Sequence, residues 1–207
     1  MNKPSFFTSR CTVVLAAVNV CAFVITELFP VLKTVLALNT VLIVRGRMYW
    51  QFLTYMFVHG SFLHLAGNML GLVFFGAAVE RAVGTKNFAV LYVAAGIVSG
   101  AASFLVYTAA GMSRVLLLGA SGAVYAVLLV FSVLFPRALV YLWGILPVPA
   151  PILVTGFALL EIFNQVFGAG SGVAHMTHLF GFAAAWVYVI IRMGKSPWTI
   201  WKNAYRN

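Results

Sequence analysis

At 207 residues, with 63% hydrophobic and only 8% charged residues and a mean hydropathy of +1.04, the chain has too few polar groups to cover a soluble surface. A soluble domain carries about 25% charged residues. The net charge of +10 comes from 13 Lys+Arg against three acids, and the basic residues fall between apolar runs, where they report orientation in a bilayer instead of a nucleic-acid footprint. A membrane barrel would need short alternating strands in place of these long runs. The expected class is an all-α polytopic membrane protein in one domain over residues 1–207, with the lipid bilayer as its solvent and no nucleic-acid partner.

The first apolar run extends from Thr12 to Phe29 and stops at Pro30, after a basic start with Lys3 and Arg10. That pattern also fits a cleaved leader, but the run is long enough to span and no small-x-small site follows it. Residues 1–11 and 194–207 are read as short cytoplasmic tails. Val35–Val44 is apolar yet too short to cross, and Arg45, Arg47, Tyr49 and Trp50 follow. Such a mixture suits a loop lying in the membrane interface between the first two helices.

Further spans are expected over about 62–80, 87–108, 118–135, 151–167 and 176–193, giving six transmembrane helices in a compact bundle. Short breaks separate them, among them a proline-rich stretch from Pro136 to Pro151. With the N-terminus inside, Lys3, Arg10, Arg81, Lys86, Arg137, Arg192, Lys195, Lys202 and Arg206 lie on the cytoplasmic side, and only Lys33, Arg45, Arg47 and Arg114 lie outside. The positive-inside rule therefore puts both termini in the cytoplasm. The polar residues of the spans then gather toward the outer face. Cys11 and Cys21 fall about 15 Å apart along one helix, too far for a disulfide. No Cys/His spacing resembles a zinc site, so no metal and no cofactor is expected.

Three polar motifs interrupt the spans. His59, His64 and Asn68 lead into and along the second, with His64 and Asn68 four apart on one face. Asn in a span costs free energy unless it faces protein or water, and these donors suit either an interhelical clamp or an oxyanion site. Gly119-Ala-Ser121-Gly122 opens the fourth span, where free backbone N–H groups and the helix dipole would point at the serine hydroxyl. The same small residues also serve helix packing. Tyr125, four residues on, shares the face of Ser121 and can stack on, or bond to, a base.

His175 and His178 open the sixth span, and either can be the base. His178 shares a face with Gly181 and Ala185, a small-residue stripe that admits a neighbouring helix closely, which favours His178. There is no aspartate, and the glutamates are Glu27, Glu80 and Glu161. Glu80 is at the wrong depth and Glu161, in the outer part of the fifth span, is nearer. A Ser-His-acid triad is therefore not expected, and a Ser-His dyad remains.

These residues resemble the rhomboid family of intramembrane serine proteases in its minimal six-span form. The match runs from Trp50 to about Ala185 and includes Glu80-Arg81 followed by Gly84. The resemblance implies Ser121 as nucleophile, His178 as general base, and His64, Asn68 and the Ser121 backbone N–H as oxyanion donors, with Gly119 supporting them. It also implies a structural, hydrogen-bonding role for His59, a Tyr125 ring packed on His178, a 33–60 loop resting partly in the outer leaflet, and a fifth span that gates substrate. Two positions depart from the family pattern: Gln51 follows Trp50 where many members have Arg, and Ala185 ends the sixth-span motif where Gly is usual.

The implied activity is hydrolysis of a peptide bond in or near a transmembrane segment of a protein substrate, with water held by a polar rim of His59, Ser61, His64, Thr177 and His178. The alternative is a catalytically silent relative that binds membrane helices. A bare six-span core favours a bacterial inner membrane. Substrate identity and oligomeric state are not encoded in any motif.

Overall fold

A computed structural model describes residues 9–167 and 173–206. The first long helix is α1 (Arg10–Leu28). Its N-terminal amides are bound by a distant carboxylate: Glu80 accepts from the Cys11 and Thr12 backbone N–H groups at 3.0 and 2.8 Å and from the Thr12 hydroxyl at 2.7 Å. Thr85 adds a hydroxyl at 2.9 Å. An acid buried to 1% exposure is thus fully satisfied, and it satisfies amides that a helix start leaves orphaned.

Residues 30–60 form a folded belt of short helices: α2 (Val31–Leu36), α3 (Thr40–Val44), α4 (Gln51–Thr54) and a 3₁₀ turn over Tyr55–Phe57. Tyr49 and Trp50 are exposed on it, as expected for an interfacial loop. Asn39 caps α3 through its side-chain oxygen, which accepts from the Val41 and Leu42 N–H groups. Gln51 is completely buried. Its amide oxygen accepts from the Asn39 N–H at 3.0 Å, and its amide nitrogen donates to the Thr34 and Val35 carbonyls. The departure from the family pattern is therefore an anchor in its own right.

The second span is α5 (Phe62–Gly71), a π-helical segment over Leu72–Gly76, and α6 (Ala77–Val83). Gly84, at φ +85°, turns the chain into α7 (Thr85–Ala109). Two glycines of α7 make room for the belt, since side chains at Gly96 and Gly100 would overlap Met56 and Tyr55. The Tyr55 hydroxyl donates to the Gly96 carbonyl at 2.7 Å.

The chain then returns through a loop stitched to the belt. Leu117 pairs with Leu38 through both backbone hydrogen bonds, at 2.8 and 2.9 Å, and the Gly119 N–H donates to the Tyr55 carbonyl at 3.0 Å. Asn39 donates to the Ser113 and Val115 carbonyls. This places the start of α8 (Ser121–Leu134), the innermost helix, most of whose residues are buried. At 14 residues it is about 21 Å long, shorter than a hydrocarbon core of about 30 Å, so its N-terminus can begin below the outer surface.

The proline-rich break folds into a β-hairpin, β1 (Leu139–Leu142) paired antiparallel with β2 (Leu146–Pro149), a structure its prolines disguise in the sequence. Then come α9 (Ala150–Phe167) and α10 (Val173–Met193). Among the described residues, five helices are long and apolar enough to cross a membrane, with α8 a shorter apolar one. Residues 197–204, read in the sequence as tail, form α11 (Pro197–Ala204). Trp201 buries its ring there and donates to the Ser132 carbonyl at 3.1 Å.

Gln51→Ala removes the belt's buried amide and leaves the Asn39 N–H without its acceptor. The expected cost is about 2 kcal/mol, read as a lower midpoint of thermal unfolding in detergent.

Candidate active site

Ser121 is the first residue of α8. Its side chain meets the sixth span because α10 crosses α8 at van der Waals range: a Cβ on Gly181 would fall on the Gly122 carbonyl, and one on Gly122 would press on Ser99 at 2.9 Å. Ala185, one turn further along the stripe, is fully buried. The result is a hydrogen bond of 2.7 Å between His178 Nε2 and the Ser121 hydroxyl. The Tyr125 ring lies flat on the His178 ring, with centroids 4.3 Å apart and planes within 9°. The structure thus brings Ser121, Tyr125 and His178 together.

The other side of the imidazole corrects the sequence reading. Glu161, not expected there to complete a triad, lies with Oε1 2.9 Å from His178 Nδ1, within hydrogen-bonding distance. The same oxygen accepts from the Tyr125 hydroxyl at 2.6 Å, and Oε2 faces His175 Nδ1 at 2.5 Å. Glu161 is 5% exposed. A carboxylate within a span is the signal that the sequence offered, because such a group is costly unless it has partners. Which partners it finds is a matter of how α9 and α10 pack.

His64 and Asn68 lie against Gly119, two residues before the serine. An ideal Cβ at Gly119 would meet His64 Cε1 and Nε2 at 2.7 and 2.8 Å, and Asn68 Nδ2 at 3.8 Å. Gly119 also sits at φ +119°, a conformation that disfavours any side chain. Its N–H is engaged with Tyr55, so its contribution is space for the His64 ring. Asn68 donates one amide hydrogen to the His64 carbonyl at 3.1 Å and retains a second. The N–H groups at the head of α8 lack intrahelical partners.

His59 departs from its implied hydrogen-bonding role. It is fully buried, and neither ring nitrogen makes a well-aligned hydrogen bond, although the Phe57 backbone lies alongside. It packs its ring edge-on to His64, centroids 5.1 Å apart. Burial, and secondly the neighbouring His64, lower its pKa to about 4, so it is neutral at physiological pH. Thr177 also leaves the expected water-holding rim: it is 1% exposed and shares a 2.8 Å hydrogen bond with Ser103 of α7. Ser61 is exposed and caps α5 through the His64 N–H. His64, His175 and His178 are half-buried, so with Ser61 they are accessible polar side chains here.

Glu161, His175 and His178 present ligand atoms within 4.8 Å of one another, a His₂-carboxylate set of the type that zinc takes. Here each imidazole Nδ1 is hydrogen-bonded to one oxygen of the Glu161 carboxylate.

The fold and this site define a helical integral membrane protein with a serine–histidine pair set among its spans. A family model described as a rhomboid domain matches residues 46–195, and the chain belongs to the rhomboid family. Similar proteins include RHOMBOID-like protein 12, mitochondrial, of Arabidopsis thaliana, 34% identical over 165 residues, 72% of this chain and 48% of that one. Rhomboid protease GluP of Bacillus subtilis is 39% identical over 100 residues, 47% of this chain and 19% of that one. Rhomboid protease GlpG of Haemophilus influenzae is 34% identical over 79 residues, 38% of each chain. The chain spans about half or less of these relatives' length.

Gly181→Ala forces α10 away from α8 and is expected to lower stability by about 2 kcal/mol. Gly67→Ala, where a Cβ meets nothing within 4 Å, serves as the control and shifts the unfolding midpoint little.

Proposed function

We propose that this chain is an intramembrane serine protease that hydrolyses a peptide bond in or beside a transmembrane segment of a protein substrate, near the outer face of the membrane. The observation that carries the reading is the 2.7 Å hydrogen bond from the Ser121 hydroxyl to His178 Nε2. Hydroxyl and imidazole at that separation are a nucleophile and its base.

Ser121 Oγ attacks the carbonyl carbon as its proton passes to Nε2. Negative charge collects on the substrate oxygen, which His64, the Asn68 amide and the N–H groups heading α8 stabilise in this reading. His178 then delivers its proton to the departing amine, leaving an acyl-enzyme. A water entering by the rim of Ser61, His64 and His175 gives its proton to His178 and attacks that ester, releasing the acid and restoring the serine. The substrate segment is expected to contain Gly, Ala or Ser, because an unbroken helix hides its peptide bonds.

The chain lies with its basic residues at the α6–α7 turn, the hairpin and α11 on the cytoplasmic side of a bacterial inner membrane. Similar proteins named for protease activity support the enzymatic reading.

Ser121→Ala should leave a folded protein that neither cleaves co-expressed membrane substrates nor takes up a fluorophosphonate label. Retained cleavage would refute the assignment of Ser121, and an unlabelled, inactive wild type would favour a silent helix-binding relative. Between the two histidines, His178→Ala is expected to abolish labelling, with His175→Ala leaving most of it.

A further inference from the structure

The first half of α9 packs against the protein through the buried Leu153 and Val154. In its second half Leu159, Leu160, Ile162 and Phe163 are all exposed, and among these neighbours Glu161 is the buried residue. Resting on the protease reading above, we propose that Glu161 is a positioning residue: it fixes the tautomer and in-plane orientation of His178, and it makes that orientation depend on α9 lying against α10.

The tautomer follows from donor and acceptor counting. An ionised carboxylate only accepts hydrogen bonds, so Nδ1 of His178, 2.9 Å from Oε1, carries the ring proton. Nε2 then has its lone pair free to accept from Ser121 at 2.7 Å. Without the acid, the neutral ring can carry its proton on either nitrogen, and a proton on Nε2 leaves no base for the serine. The Tyr125 stack holds the plane of the ring, but stacking is blind to which nitrogen faces which way. Only a bond at Nδ1 decides that.

Dependence on α9 follows from where the acid is held. Its partners come from two other helices, Tyr125 on α8 and His175 and His178 on α10. An ionised carboxylate in hydrocarbon is costly unless such donors surround it. The same bonds that orient the base therefore dock α9, whose remaining aromatic link to this group is Phe157 against Tyr125, centroids 6.2 Å apart. When α9 swings away, the acid leaves with it and His178 loses its orientation. Helix docking and readiness of the base become one event.

The test uses the full chain in detergent with a fluorophosphonate probe, and measures both extent and rate of Ser121 labelling, with thermal unfolding alongside. Extent counts folded sites; kinact reports how well the base activates the serine, and KI reports probe binding. Glu161→Gln is expected to lower kinact on the order of 100-fold, with KI within about threefold and full extent. Glu161→Asp keeps the charge but draws it back from Nδ1, and is expected to label at an intermediate rate. It carries the test alone if the Gln variant does not fold, in which case an Asp rate equal to wild type overturns the proposal.

A Gln rate within about threefold of wild type overturns it too. So does a loss confined to extent and thermal stability, which would make Glu161 a helix clamp and nothing more. Chelation by EDTA should change nothing; if it abolishes wild-type labelling, the cluster works through a metal and the proposal fails. A labelled wild type with an equally labelled Gln variant sinks this inference and leaves the protease reading intact, whereas an unlabelled wild type sinks both.

Discussion

The close crossing of α10 over α8 is the constraint on which the rest depends. Gly181 has no side chain where the Gly122 carbonyl lies, and Gly122 has none where Ser99 lies. In lipid, helices gain little from burying apolar surface against each other, so approach at this range is set by small residues and dispersion contacts. One methyl group at this crossing would push the helices apart and lengthen the hydrogen bond between Ser121 and His178. The polar chemistry is therefore held by apolar geometry a turn away from it.

Several buried polar groups are partnered to a degree that hydrocarbon demands. Glu80 binds the N-terminal amides of α1, Gln51 and Asn39 lock the interfacial belt to the loop before α8, and Glu161 gathers a tyrosine and two histidines. Each joins segments distant in the chain, and each would be expensive to leave alone. The belt thus has a task beyond lying in the interface. Through Leu38, Asn39 and Tyr55 it sets where the loop enters and hence the depth at which α8, too short to cross by itself, begins.

The glycines divide into those that admit a neighbour and those that turn the chain. Gly96, Gly100, Gly122 and Gly181 are of the first kind, and Gly84 is of the second. Gly119 is both: it adopts a left-handed φ and vacates the space that the His64 ring fills. It therefore assists the candidate oxyanion site by giving up volume, since its own N–H is already bound to Tyr55.

How much of this was legible beforehand depends on whether local sequence carried the physics. Apolar runs of sufficient length specify spans without reference to anything else, so the spans lie within a few residues of their expected limits, and the aromatic and basic belt was readable for the same reason. Ser121 between small residues, His64 four before Asn68 and His178 on a small-residue stripe are patterns within single helices, and these too could be read directly. The hairpin was hidden because prolines read as breaks, and α11 because a short basic stretch reads as a tail until Trp201 finds its place against α8. Thr177 and His59 looked like rim residues because the sequence gives the end of the span they lie at or near but not the direction they face. Glu161 was discounted because the sequence shows an acid's depth but not its partners. Only the packing of α9 against α8 and α10 decided that this carboxylate meets His178, since the angle and rotation of one helix against another are set by side chains far apart in the chain.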